Sequence, residues 1–332
     1  MSKPSHHILV IGCGSIGERH VRTFLATGRC TVLACDNRPM IRERMTAQYG
    51  VEAVADWREA LRRPDLTGAV IATPAPLHVE QARATLESGR HVLIEKPLAL
   101  AVAGADALPA VRDRSGRYAA IGYTLHSVPA LRAAREFIRA GSFGAVKHAA
   151  INTGQHFPLF RPAYREIYYR DHAQGGGAIQ DALTHMANMV EWILGPTTRL
   201  TCDAGHQVLE GVEVEDTVTV LARNGGAIVS YSLNQFQAPN ETRLDFHAET
   251  GSVRVEMHAQ RWGTLARGDA DWRWTPAPVE HRDNLYITQA ADFLDGCEGR
   301  PTPLCTLEEG IQTLRFNVAA LDSWRNSRTV VP

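Results

Sequence analysis

An apolar run, Ile8-Leu9-Val10-Ile11, breaks at once into Gly12-Cys13-Gly14-Ser15-Ile16-Gly17. Four bulky apolar residues in a row leave no polar side for water, so they read as a strand buried on both faces. Helical spacing follows to about Thr27, which puts the three glycines at a strand-to-helix turn. Each has its own reason for being there. Gly12 permits a tight turn, Gly14 lets a pyrophosphate approach the backbone, and Gly17 lets helix and strand pack closely. Ser15 and Ile16 complete the turn and open the helix, whose N-terminus offers free N–H groups to phosphate. The next strand, Thr31 to Cys35, ends at Asp36, the acidic residue such a turn calls for about 20 residues on. Asp36 would accept hydrogen bonds from the ribose hydroxyls and repel a 2′-phosphate, which favours NAD. Arg38 close behind would pair with that phosphate and keeps NADP open.

Further apolar strands recur at Ala69 to Ala72, His91 to Ile94 and Tyr118 to Gly122. A helix from Leu77 to Ser88 ends at Gly89, a C-cap. Apolar strands alternating with helices predict a parallel sheet covered on both faces. After Gly144 the pattern turns to period-2 alternation at Thr217 to Ala222, Ala227 to Leu233, Thr242 to Ala248 and Ser252 to Glu256. Asn224-Gly225-Gly226 and Glu249-Thr250-Gly251 separate these runs as hairpin turns. Helices are expected over Ala130 to Arg139, Gly177 to Leu194 and Leu307 to Ser323. The 332 residues thus divide into two domains. Residues 1–124 form an α/β Rossmann domain that binds NAD(P). Residues 125–332 form an α+β domain on a mostly antiparallel open sheet, for substrate binding and oligomerisation.

Charge excludes several partners. With 35 basic and 36 acidic side chains the net charge is −1, which gives neither a nucleic-acid surface nor an anionic-membrane surface. No apolar stretch approaches the roughly 20 residues a membrane span needs, and the N-terminal run is too short for a signal peptide, so a cytoplasmic location is expected. The six cysteines are scattered without a Cys-x-x-Cys pair, which argues against a disulfide framework and a cysteine zinc site.

Three further segments complete the pattern: Val70-Ile71-Ala72-Thr73-Pro74-Ala75-Pro76-Leu77-His78, His91-Val92-Leu93-Ile94-Glu95-Lys96-Pro97-Leu98, and Gly175-Gly176-Gly177 leading through Asp181 to His185. With the N-terminal turn they resemble the glucose–fructose oxidoreductase / inositol dehydrogenase (Gfo/Idh/MocA) family over nearly the whole chain. The resemblance implies that Lys96 is the catalytic lysine and that Asp181 and His185 are the polar pair facing the nicotinamide. It places Thr73, Pro74 and His78 beneath the cofactor, with Glu95 and Lys96 beside it. It also implies subunit contacts through the open sheet, hence a homodimer or homotetramer. The chemistry is consistent with these roles. A secondary alcohol that loses hydride must also lose its hydroxyl proton, and a histidine titrates in the right range to take it. Asp181 lies one helical turn before His185 and could orient it. Lys96 could stabilise the developing alkoxide. A metal shared by Asp181 and His185 would need a third ligand, so none is expected.

The stretch Gly122-Tyr123-Thr124-Leu125-His126-Ser127 departs from the family, which often has Asn, Arg and Phe after the Gly-Tyr, and Asn188 stands where Asp is frequent. Tyr123 and His126 are nonetheless expected at the substrate. Residues 155–174 are dense in aromatic and basic side chains, among them Arg161, Arg165, Tyr168 and Tyr169. They would either wall a pocket for an acidic, phosphorylated or nucleotide-linked sugar, with Arg165 on its anion, or pack a subunit interface. His206, His247 and His258 read as structural. The expected activity is NAD(P)-dependent hydride transfer at a hydroxyl or keto carbon of a sugar, sugar acid, nucleotide sugar or cyclitol. Redox-neutral elimination or glycoside cleavage, a non-catalytic NAD(H) sensor, and reduction of an imine or bilin remain alternatives on the same scaffold.

Overall fold

The computed structural model describes residues 5–332. It separates into two compact units, one running to Ser127 and taking in Glu280–Ile311, the other comprising Val128–Val279 and Gln312–Pro332. The division is not a single cut at residue 124, because a late segment returns to the first unit.

Six strands form the sheet of the first unit: β1 (His6–Ile11), β2 (Cys30–Cys35), β3 (Glu52–Val54), β4 (Gly68–Ile71), β5 (His91–Ile94) and β6 (Ala119–Ile121). All pairings are parallel, in the order β3-β2-β1-β4-β5-β6. Between strands run α1 (Ser15–Ala26), α2 (Pro39–Tyr49), α3 (Trp57–Ala60), α4 (His78–Glu87) and α5 (Leu108–Ser115). Ile8 to Ile11 are buried, as a strand covered on both faces requires. Order reverses at β1, which has β2 on one side and β4 on the other.

The second unit holds β7 (Val146–Gly154), β8 (Thr197–Gly205), β9 (Thr217–Asn224), β10 (Ala227–Asn234), β11 (Glu241–Ala248), β12 (Gly251–Glu256), β13 (Arg261–Ala266) and β14 (Arg273–Pro276). They form one sheet, ordered β14-β13-β12-β11-β7-β10-β9-β8. It is antiparallel except where β7 meets β10. Alternation explains its two faces. Val218, Val220, Val229, Tyr231, Leu244 and Phe246 are buried, whereas Leu221 and Ile228 are exposed. Its helices are α6 (Pro129–Arg139), α7 (Phe157–Phe160) and α8 (Thr184–Leu194).

The returning segment carries α9 (Arg282–Cys297) and the first turn of α10 (Leu307–Asn326). Phe293 of α9 meets Phe24 of α1 edge to face, and Asp283 binds both Arg19 and Arg22. Ile121 donates its N–H to the Cys305 carbonyl, so the segment also pairs with the end of β6. No described helix is long and apolar enough to cross a membrane.

Candidate active site

In the first unit the residues expected at the nucleotide all emerge at carboxyl ends of parallel strands. Gly12 to Gly17 follow β1, Asp36 follows β2, Thr73 to His78 follow β4, and Glu95 and Lys96 follow β5. Open parallel sheets bind ligands at this end, where strand order reverses. The turn itself fits a dinucleotide. Gly12 has φ +86°, and a Cβ there would lie 2.9 Å from the Ala72 backbone. Gly14 has nothing within 4 Å of a would-be Cβ except Arg38 Nη2 at 4.0 Å. No side chain caps the start of α1, so its first N–H groups are left for a phosphate.

Asp36 is buried and saturated with donors. Its Oδ2 accepts from the Cys13 N–H and Arg38 Nη2, both at 2.9 Å, and its Oδ1 from the Arg38 N–H at 3.0 Å and Arg38 Nε at 2.9 Å. Burial opposes ionisation, but these donors prevail and hold the carboxyl below the usual aspartate value.

Lys96 is half-buried and joined to Pro97 by a cis peptide bond. Two buried contacts bracket it. The Glu95 carboxylate accepts the Lys96 N–H at 3.1 Å and meets His20 Nε2 at 2.7 Å. His20 comes from α1, is buried, and is backed by the Tyr286 ring of α9 at 5.8 Å. On the other side His78 reaches the Pro97 carbonyl at 3.0 Å with Nδ1 and the Thr73 carbonyl at 2.8 Å with Nε2. Burial keeps the His78 pKa below that of free imidazole. The ring thus ties the Thr73-Pro74 loop to the Lys96-Pro97 loop. Neither Glu95 nor His78 is exposed, so both hold backbone in place. Beyond β6, Tyr123 and His126 are also buried, and His126 Nδ1 lies 2.9 Å from the Pro303 carbonyl. The structure thus sets Tyr123 and His126, both expected at a substrate, in the packing around the returning segment.

The second unit assembles its own polar cluster. Residues Ile179–Leu183 form a five-residue π-helix that runs directly into α8. Such widened turns recur at functional positions. Asp181 lies in it and His185, half-buried, lies one turn further on. The buried Asp181 carboxylate accepts from Tyr168 Oη at 2.6 Å and from Arg161 Nη1 at 3.4 Å. The preceding glycines have a packing cause. A Cβ on Gly176 would lie 2.2 Å from the Tyr169 carbonyl oxygen, and one on Gly177 would lie 2.5 Å from Glu215 Oε2. Glu215, fully buried, accepts the Ile179 N–H at 2.8 Å and meets His172 Nε2 at 2.5 Å.

Residues 155–174 divide. Phe157, Tyr164 and Tyr169 form a small buried core with Leu209, Val212 and Val214. Tyr169 donates its hydroxyl to Gln235 inside that core, and burial pushes its pKa far above the usual tyrosine value. Arg165, expected on a substrate anion, donates Nε to the Glu210 carbonyl at 2.8 Å, with Nη2 3.6 Å from the Glu210 carboxylate. Tyr168 alone of these tyrosines is exposed, at 37%, while touching Asp181. Sequence reasoning missed His20 and Glu215. A histidine on the apolar face of α1 was the only available signal for the first, and nothing local marks the second.

Two family descriptions match the chain. Residues 6–123 match the GFO/IDH/MocA oxidoreductase family with an NAD-binding Rossmann fold, and residues 131–254 match the GFO/IDH/MocA C-terminal domain. The protein belongs to this family of NAD-binding oxidoreductases. It is similar to 1,5-anhydro-D-fructose reductase of Ensifer adhaerens, 27% identical with 81% of each chain covered. It is also similar to the NAD(+)-dependent scyllo-inositol 2-dehydrogenase of Bacillus subtilis, 21% identical over 97% of this chain and 94% of that one. Among solved structures, levoglucosan dehydrogenase in complex with NADH and levoglucosan superposes with a TM-score of 0.88 at 20% identity, covering 98% of this chain and 99% of that one. An oxidoreductase domain protein from Kribbella flavida superposes at 0.90 with 22% identity, covering 99% and 100%. These likenesses establish the fold.

Proposed function

We propose that this chain transfers a hydride between NAD and a hydroxyl-bearing or keto carbon of a neutral sugar-like or cyclitol-like substrate. The observation that carries the reading is the setting of Lys96. It leaves β5 at the ligand-binding end of the parallel sheet, with its backbone pinned by Glu95 and His20 on one side and by His78 on the other. Relatives named as an anhydrofructose reductase, an inositol dehydrogenase and a levoglucosan dehydrogenase support the substrate class. A neutral substrate is favoured because Arg161 and Arg165 already have Asp181 and Glu210 as partners.

The bound nicotinamide supplies the hydride acceptor. We assign this chain's residues as follows. His185 takes the hydroxyl proton as hydride leaves the carbon, and returns it in the reverse direction. Lys96 Nζ donates to the reacting oxygen and stabilises its developing negative charge. Asp181, held by Tyr168 and Arg161, orients the substrate hydroxyls or the His185 ring, and the exposed Tyr168 lines the same subsite. Absorbance at 340 nm, with NAD and a panel of sugars, uronic acids and cyclitols, tests this. Turnover that disappears in Lys96→Ala is expected. Equal turnover in the variant would refute the assignment, and product formation without net NADH would point to the redox-neutral alternative.

We also infer a homodimer or homotetramer assembled through the open sheet face, where Leu221 and Ile228 are exposed on adjacent strands. A monomer by light scattering would overturn this. Six free cysteines, five of them buried, support a reducing compartment, and we infer a cytoplasmic location. Recovery of the protein from a secreted fraction would contradict it.

A further inference from the structure

We propose that the adenosine end of this site accepts NADP as well as NAD, with Arg38 as the residue that meets the 2′-phosphate. The inference rests on the dinucleotide reading of the first unit. An aspartate after the second strand normally selects NAD in two ways: its oxygens accept the ribose hydroxyls, and its charge repels a phosphate. In this chain both are cancelled. A carboxylate offers about four lone-pair positions. The Cys13 N–H, the Arg38 N–H, Arg38 Nε and Arg38 Nη2 fill them. Asp36 therefore presents no vacant acceptor until Arg38 moves, and its charge is paired within the structure. The carboxylate serves as the anchor of a guanidinium.

That guanidinium faces outward. The Arg38 side chain is 59% exposed while Asp36 is 4% exposed. Only its Nε and Nη2 are used on Asp36, so the remaining fork of N–H groups is available for a second anion. Nη2 lies 4.0 Å from where a Gly14 Cβ would stand, which sets the group beside the glycine turn. Two more arginines flank it. Arg42 Nη1 donates to the carbonyls of Asp36 and Asn37 at 2.9 and 3.0 Å, and Arg44 Nη2 lies 2.9 Å from Glu18. Three guanidinium groups against the carboxylates of Asp36 and Glu18 leave the rim positive, which a phosphate monoester would favour.

Isothermal titration of the purified chain with NAD and with NADP tests this without turnover. Dissociation constants for the two within about tenfold of each other are expected. Arg38→Ala should weaken NADP by about 10- to 100-fold, the loss of a hydrogen bond to a charged group, and leave NAD within about threefold. Arg38→Gln, which keeps the length of the side chain and removes its charge, should repeat the selective loss, and circular dichroism should show both variants folded. NAD binding with NADP more than about 100-fold weaker, or equal loss of both nucleotides in the variants, would overturn the proposal. Binding of neither nucleotide would overturn the dinucleotide reading itself.

Discussion

Two glycines of the same turn should fail in opposite ways when each is given one methyl group. In Gly17→Ala the new Cβ would lie 1.7 Å from the Gly12 carbonyl oxygen and 2.8 Å from its carbon. Ordinary carbon–oxygen contact needs about 1.5 Å more, and both neighbours are backbone. The β1 side cannot yield. Gly12 donates to the Cys35 carbonyl at 2.8 Å, β1 is paired on both edges, and Gly12 already crowds Ala72. The helix must move instead, and with it the buried Val21 and Phe24. Alanine normally gains about 1 kcal/mol over glycine inside a helix, whereas overpacking costs about 1–3 kcal/mol and more when backbone must shift. The net should be a loss of at least ~2 kcal/mol. In Gly14→Ala the nearest atom is the far end of Arg38 at 4.0 Å, and φ −66°, ψ −164° suits alanine. Its stability should stay within about 0.5 kcal/mol of the parent. Its methyl, however, occupies the space across which a pyrophosphate must come to the backbone. NADH affinity should fall at least ~10-fold, about 1.4 kcal/mol. Urea unfolding followed by circular dichroism, and NADH fluorescence titration, read the two effects separately. A Gly17→Ala protein as stable as the parent would refute the packing argument, and a Gly14→Ala protein that binds NADH normally would refute the phosphate path.

Other expectations follow from the same geometry. His20→Leu leaves the Glu95 carboxylate buried without its imidazole and should cost about 3–5 kcal/mol in urea unfolding, much of it recovered by adding Glu95→Gln; a loss under 1 kcal/mol would show the pair to be inconsequential. Tyr168→Phe removes one donor from Asp181 at a half-exposed position, so kcat should drop about 10- to 100-fold while stability changes by less than about 1 kcal/mol; unchanged kcat would remove Tyr168 from the site. Burial, with the nearby charge of Arg117, lowers the His91 pKa to about 4, and its Nδ1 accepts the Tyr118 N–H at 2.9 Å. The folded state thus prefers neutral His91. Its contribution is present above the ordinary imidazole value and is lost as pH falls from about 6.5 to about 4, by as much as ~3 kcal/mol. His91→Asn should flatten that part of the stability–pH curve, and an unaltered slope would contradict the assignment.

What could be read from the sequence is what local chemistry dictates. Ile8 to Ile11 have no polar alternate positions, so a strand covered on both faces follows without knowledge of its partners. The turns at Asn224-Gly225-Gly226 and Glu249-Thr250-Gly251 likewise bring β9 to β10 and β11 to β12, as observed. Pairings over longer separation carry no such mark. Parallel β7 and β10 lie far apart in the chain, and the Phe24–Phe293 contact depends on a helix that returns more than 250 residues later. The π-helix at Ile179–Leu183 has no compositional sign, since widening a turn changes which carbonyl each N–H meets and leaves the residue types alone.

The site shows the same limit at the scale of single side chains. Tyr168 and Tyr169 are adjacent and chemically alike, so composition assigns them one role. Their backbone sends them apart. Tyr169 enters the core beside Phe157 and bonds Gln235, while Tyr168 stays exposed on Asp181. Arg161 and Arg165 divide in the same way, one onto Asp181 and the other onto Glu210. A segment rich in arginine and tyrosine therefore says that anions and rings will be met, and not whose they are. In this chain the anions are largely its own. That self-pairing turns the substrate argument from an acidic sugar towards a neutral polyol, and the same logic at Asp36 and Arg38 turns the cofactor argument from NAD alone towards both nucleotides.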